Sequence, residues 1–98
     1  MADWRLSKRA EADVTAIYVF THRTFGETQA EAYIEGLNRT FGLIADFPGI
    51  GNSADEIKVG YRRFRFQSHL IFYTTEPDHV VIRALIHARR NIRGELFE

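Results

Sequence analysis

The 98-residue chain contains no cysteine. That excludes a disulfide scaffold and any thiolate chemistry, and it fits a reducing compartment. Net charge is also absent, because thirteen Lys and Arg balance thirteen Asp and Glu. As a sum, this argues against a dedicated nucleic-acid binder. No apolar run approaches the roughly 18 residues of a membrane-spanning helix, so no membrane association is expected. The stretch from Met1 to Arg9 has no apolar run after its charges and reads as carrying no signal peptide. There is no internal repeat, low-complexity run or linker. There is no glycine-rich phosphate loop, no G-x-S-x-G and no H-E-x-x-H. His22, His69, His79 and His87 lack ligand-like spacing, so neither a metal nor another cofactor is expected.

What is present describes one small globular domain over residues 1–98, too short for a second core. Trp4 and Leu6 alternate with polar neighbours, which predicts a strand at 3–6. Ser7 is a helix N-cap. Ala10, Val14, Ile17, Tyr18, Thr21 and Phe25 then form one face of a helix over about 8–25, ended by Gly26. Ala30, Tyr33, Ile34, Leu37, Phe41, Ile44 and Ala45 repeat that spacing over about 27–46. So short a connection folds the two into an antiparallel hairpin. Pro48 stops the second helix, and residues 47–52 read as a loop. The period then becomes two, over about 60–67, 69–76 and 79–87, with turns near Gln67-Ser68 and at Pro77. A basic tail over 88–98 follows. The expected architecture is α+β, in the order β-α-α-β-β-β, with an antiparallel sheet and a helical hairpin on one face.

Strict alternation assigns the faces of that sheet. Val80, Ile82, Ala84 and Ile86 should meet the helices, as should Phe64 and Phe66. In the middle strand either Leu70 and Phe72 or Ile71 and Tyr73 could fill the core. Leu70 and Phe72 are placed inward. The other face then holds Arg63, Arg65, Arg83 and His87 beside Tyr61, Ile71, Val81 and Leu85, with Tyr73 a further candidate. Arg mixed with open apolar surface suits a partner, unless those apolar residues belong to a larger core.

The zero net charge conceals a gradient. From Ile57 to Arg93, eight cations (Lys58, Arg62, Arg63, Arg65, Arg83, Arg89, Arg90 and Arg93) face only Glu76 and Asp78. Arg offers a rigid fork for carboxylates and phosphates. Candidate binding residues are therefore Arg63, Arg65, Arg83, His87, Arg89, Arg90, Tyr61 and Leu85. One catalytic alternative exists. His87 could act as general acid or base in RNA cleavage, with Arg65 and Arg83 stabilising charge on phosphorus and Tyr73 as a second proton-transfer group. Glu11 and Asp13 read as solvent-facing.

The order of short motifs resembles a known family. Leu6, Ser7, Ala10, Asp13 and Ile17 fit L-S-x-x-A-x-x-D-x-x-x-I. Phe25, Gly26, Gln29, Ala30, Tyr33 and Leu37 fit F-G-x-x-Q-A-x-x-Y-x-x-x-L. Pro48 and Gly51 fit P-x-x-G, and Ile57, Gly60, Arg62, Phe64, Ser68, His69, Ile71 and Tyr73 fit the next two strands. Ile82, Leu85, His87 and Arg89 fit the end. The pattern is similar to ParE toxins of the RelE/ParE type II toxin–antitoxin superfamily. The resemblance implies a cytoplasmic bacterial protein that poisons DNA gyrase without catalysis. It also implies neutralisation by a ParD-type antitoxin in a hetero-oligomeric complex. The RelE-like alternative is a ribosome-dependent mRNA endonuclease, and only that reading calls for direct contact with nucleic acid. Lys58 alone stands for the Lys-rich segment of such nucleases, and no Tyr follows the last strand. A third alternative is a degenerate homologue that binds its antitoxin and harms nothing.

Overall fold

The computed structural model describes residues 3–90 and residue 92. Strand β1 (Asp3–Leu6) leads into helix α1 (Lys8–Phe25) and helix α2 (Glu27–Asp46). A 3-10 turn (Pro48–Ile50) and the two-residue strand β2 (Asn52–Ser53) follow, then β3 (Arg62–Phe66), β4 (His69–Thr75) and β5 (His79–His87). The expected loop at 47–52 therefore includes one helical turn and the start of an edge strand. The expected tail beyond residue 90, Arg93 included, lies outside the described residues except for Ile92.

Local chemistry explains the helix ends. The Ser7 hydroxyl accepts the Ala10 N–H at 3.0 Å, capping α1. Gly26 joins the helices at φ +93° and ψ 173°, a region that essentially only glycine occupies. Ala10, Ile17 and Thr21 of α1 and Ala30, Leu37, Phe41, Ile44 and Ala45 of α2 are buried, as the helical spacing predicts. Phe25 differs: it is 64% exposed, being the last residue of α1.

The sheet order is β1-β5-β4-β3-β2. β2–β3, β3–β4 and β4–β5 are antiparallel, whereas β1 pairs parallel with β5. The sheet is thus mixed at that one edge. The α1–α2 hairpin carries the chain back over the sheet. β5 becomes a central strand, with β1 on one side and β4 on the other.

The pairing of β4 with β5 contains a bulge. Phe72 lies opposite Ala84, yet Tyr73 lies opposite Ile82, which leaves Arg83 as the extra residue. Alternation in β5 changes phase there. Val80, Ile82 and Leu85 join Ile71, Tyr73, Phe64 and Phe66 in the core beneath the helices. Phe72, Ala84 and Ile86 are buried on the opposite face, with Leu70 packed against them. The inward placement of Leu70, Phe72, Ala84 and Ile86 is therefore corrected. So is the outward placement of Ile71, Leu85 and His87. A period of two cannot be extrapolated through a bulge.

The second face is not open. Residues 54–61 fold over it, with Ala54 fully buried and Ile57, Tyr61 and Ile92 packed alongside. The fold of this segment is held by the Ala54 N–H donating to the Tyr61 carbonyl and by the Asp55 carboxylate accepting the Gly60 N–H. The apolar residues of that face form a small second core rather than an exposed patch.

Candidate functional site

Two histidines far apart in sequence meet at one end of the sheet. His69 opens β4 after the Gln67-Ser68 turn, where Gln67 has φ +47°. His87 closes β5 directly opposite. The Ala88 N–H donates to the Ser68 carbonyl, so the histidines form a non-hydrogen-bonded pair, the arrangement with the closer side chains. Their rings stand edge to face with centroids 5.4 Å apart. Both lie on the helix side of the sheet.

Neighbours fix the orientation of each ring. The Tyr33 hydroxyl of α2 lies 2.7 Å from Nδ1 of His69. Burial pushes the Tyr33 phenol above its ordinary 10.0, so it keeps its proton. Burial, and then the adjacent His87, lowers His69 below its ordinary 6.5, while Asp13 opposes this. A protonated phenol can donate to Nδ1 or accept from it, so this contact holds the His69 ring in place whichever tautomer it takes. In His87, Nδ1 accepts the Arg89 backbone N–H at 3.1 Å. With a neutral ring, the proton of His87 therefore sits on Nε2. An open pocket of about 290 Å³ lies against the pair. Phe20, Thr21 and Phe25 of α1, Gln29 and Tyr33 of α2 and the Gln67-Ser68 turn complete its wall.

The anticipated cationic set does not assemble here. Arg63 and Arg65 do lie on the face away from the helices, opposite Phe72 and Leu70, and Tyr61 packs on that face. Arg83 joins them there, donating to the Thr74 hydroxyl at 3.0 Å and lying 3.9 Å from Glu76. Leu85 and His87 are on the other face. Tyr73 is fully buried; its hydroxyl donates to the Pro48 carbonyl and accepts the Gly51 N–H. Arg89 and Arg90 lie exposed in the turn after β5. Sequence reasoning missed Tyr33 and His69 as site residues, having treated one as core and the other as a turn edge. The available signal was a histidine at each end of the β4–β5 pair, but counting back from the Pro77 turn sets them on opposite faces.

Asp13 is not solvent-facing. Its carboxylate accepts the Leu85 N–H at 3.0 Å and pairs with Arg9. The Ser7 hydroxyl donates to the Arg83 carbonyl, and the Ser7 N–H to that of Ile82. β1 ends at Leu6, and the side chains of the Ser7 cap and of Asp13 in α1 take over the backbone groups of β5 beyond it.

A family model described as "ParE toxin of type II toxin-antitoxin system, parDE" matches residues 4–92. The chain belongs to the ParE toxin family. It is 36% identical to Toxin ParE1 of Caulobacter vibrioides over 96 residues, covering 98% of this chain and 99% of that protein. It is 37% identical to Toxin ParE1 of Mycobacterium tuberculosis over 93 residues, covering 93% and 94%. A solved structure titled "Chromosomal ParDE TA system from P. aeruginosa" shares the fold, with TM-score 0.76 at 15% identity over 89% of this chain and 96% of that one. In this ParE-type toxin of a type II toxin–antitoxin system, Ser7, Ala10, Asp13 and Ile17 therefore have structural work: cap, close packing, strand acceptor and core. Among the described residues, no helix is long and apolar enough to cross a membrane. Nor does any group of three or more His, Asp or Glu residues gather as a metal would require.

Proposed function

We propose that this ParE-family chain acts in the bacterial cytoplasm as a poison of DNA gyrase and is held inactive by a ParD-type antitoxin. The observation that carries the non-enzymatic part is the dispersal of Arg65, Arg83, Tyr73 and His87 over two faces and the interior. RNA cleavage needs a proton-transfer group and a cation acting on one phosphate. Here the histidine pair is walled by aromatic and neutral polar residues, with no Lys or Arg among the described lining. A poison that works by binding needs no such convergence.

Induction of the chain in cells tests the reading. The expected result is replication arrest with a DNA-damage response and filamentation, while translated mRNA persists. The purified chain should accumulate cleaved DNA when mixed with gyrase. His87→Ala should keep that toxicity. Rapid loss of translated mRNA that His87→Ala abolishes, in a variant still folded, would instead establish the endonuclease. Absence of any growth arrest would establish the harmless homologue.

A further inference from the structure

The pocket against His69 and His87 has a chemistry that the toxin reading does not use. Both Nδ1 atoms are occupied, by the Tyr33 hydroxyl and by the Arg89 backbone N–H. A backbone N–H can only donate, so Nδ1 of His87 presents its lone pair inward and Nε2 carries the proton. The Tyr33 hydroxyl engages Nδ1 of His69, whose Nε2 also donates in the Nε2–H tautomer or in the imidazolium form. His87, and His69 in either of those forms, thereby has an Nε2–H to offer an acceptor at the pocket. A metal would require the reverse, with lone pairs on Nε2. The arrangement suits an acceptor carrying negative charge. Beside it, Phe20 and Phe25 of α1 are each 64% exposed. The pocket thus sets two imidazoles beside an apolar shelf.

We propose that this pocket is a carboxylate site, in which His69 and His87 hold an acidic side chain of the antitoxin while an adjacent apolar residue lies on Phe20 and Phe25. The owner of the carboxylate rests on the antitoxin reading above, whereas the preference for a carboxylate rests on the two imidazoles at the pocket. A bound carboxylate favours the imidazolium form and so raises the proton affinity of the pair. Of the other titratable or charged groups, Asp13 from α1 acts on His69, Tyr33 from α2 bonds its Nδ1, and Arg65 from β3 acts on Tyr33. Tyr33 stays neutral, so neither it nor a lining Lys or Arg supplies the positive charge that develops. Binding therefore tightens as the pH falls.

The test uses the chain alone, with N-acetyl-phenylalanyl-glutamate amide as probe and its glutamine counterpart as control. Imidazole resonances of His69 and His87 are followed by NMR at pH 8 and pH 6. The glutamate probe should shift both rings saturably and bind severalfold tighter at pH 6, a one-unit rise in proton affinity setting a ceiling of about tenfold. The glutamine probe should not shift them. His87→Leu, a change at an exposed strand end, should abolish the preference for glutamate, and His69→Phe should do the same where it folds. Equal binding of both probes, or shifts that survive His87→Leu, would overturn the proposal. A stronger response to N-acetyl-phenylalanyl-alanine with a free carboxylate would overturn its assignment to a side chain. Toxicity is not part of the readout, so failure here leaves the gyrase reading standing, and a harmless chain could still bind the probe.

Discussion

Asp13 shows how much a single side chain can carry in so small a protein. Its carboxylate is the acceptor for the Leu85 N–H, and Leu85 is only 5% exposed. Removing the acceptor leaves a donor without a partner in a nearly dry place. Asp13→Ala should cost about 1–3 kcal/mol, the desolvation penalty of one orphaned group. Urea unfolding of the two chains measures it. Asp13→Asn keeps an acceptor oxygen and should recover most of the loss. An Arg9→Ala change should matter less, because the Arg9–Asp13 pair is partly exposed and such pairs contribute about 0–1 kcal/mol. From the sequence, Asp13 is one acidic residue on a helix, and nothing local distinguishes it from Glu11. Its role depends on a strand 72 residues away.

Among the elements, the helical hairpin was the most legible. Its period, its cap and its glycine all act within a few residues, so spacing alone locates both helices. Gly26 is the tightest constraint. A Cβ there would meet no other atom within 4 Å, so any penalty comes from the backbone and not from a clash. Gly26→Ala should therefore destabilise by about 1–3 kcal/mol, the cost of forcing a side chain into that conformation. Thermal unfolding provides the measurement, and an unchanged midpoint would mean that the hairpin relaxes to another turn. The strands were less legible for a definite reason. β4 and β5 are apolar on both faces because both faces are covered, by the helices and by residues 54–61. Alternation then carries no contrast, and the Arg83 bulge shifts the phase unannounced.

For the molecule as a whole, the basic stretch from Ile57 onward resolves into separate local engagements. Arg62 donates to the Gly49 and Gly51 carbonyls, Arg63 pairs with Glu56, Arg65 donates to the Gln67 carbonyl and Arg83 bonds Thr74. The charge is real but partly spent on holding turns and strand ends. Global stability should show a plateau in pH. His69 has a lower proton affinity folded than unfolded, so below about pH 6.5 the unfolded chain takes up more protons and stability falls. Tyr33 has a raised value, so stability falls again once the unfolded phenol ionises above about pH 10. Urea midpoints across this range test both limbs, and His69→Gln should flatten the one just below pH 6.5. The fully exposed Asp78, lowered by its hydrogen bond to His79, acts only at more acid pH.

The sequence by itself determined the order of the two helices and the four longer strands, the two helical faces, the capping of α1 and the absence of thiol chemistry. It also carried enough spaced motifs to point to the ParE toxins. These properties rest on interactions between near neighbours, which a one-dimensional pattern records. Tertiary structure alone decided which face the β5 residues beyond Arg83 take and which histidines meet. Thr75 lies opposite Val80, and an unbroken count from that pair would set His69 against Ile86, with His87 on the other face. One extra residue at Arg83 brings His69 and His87 together and separates His87 from the arginines. Strand register is a long-range choice, made by burial on both faces of the sheet at once, and no local propensity encodes it.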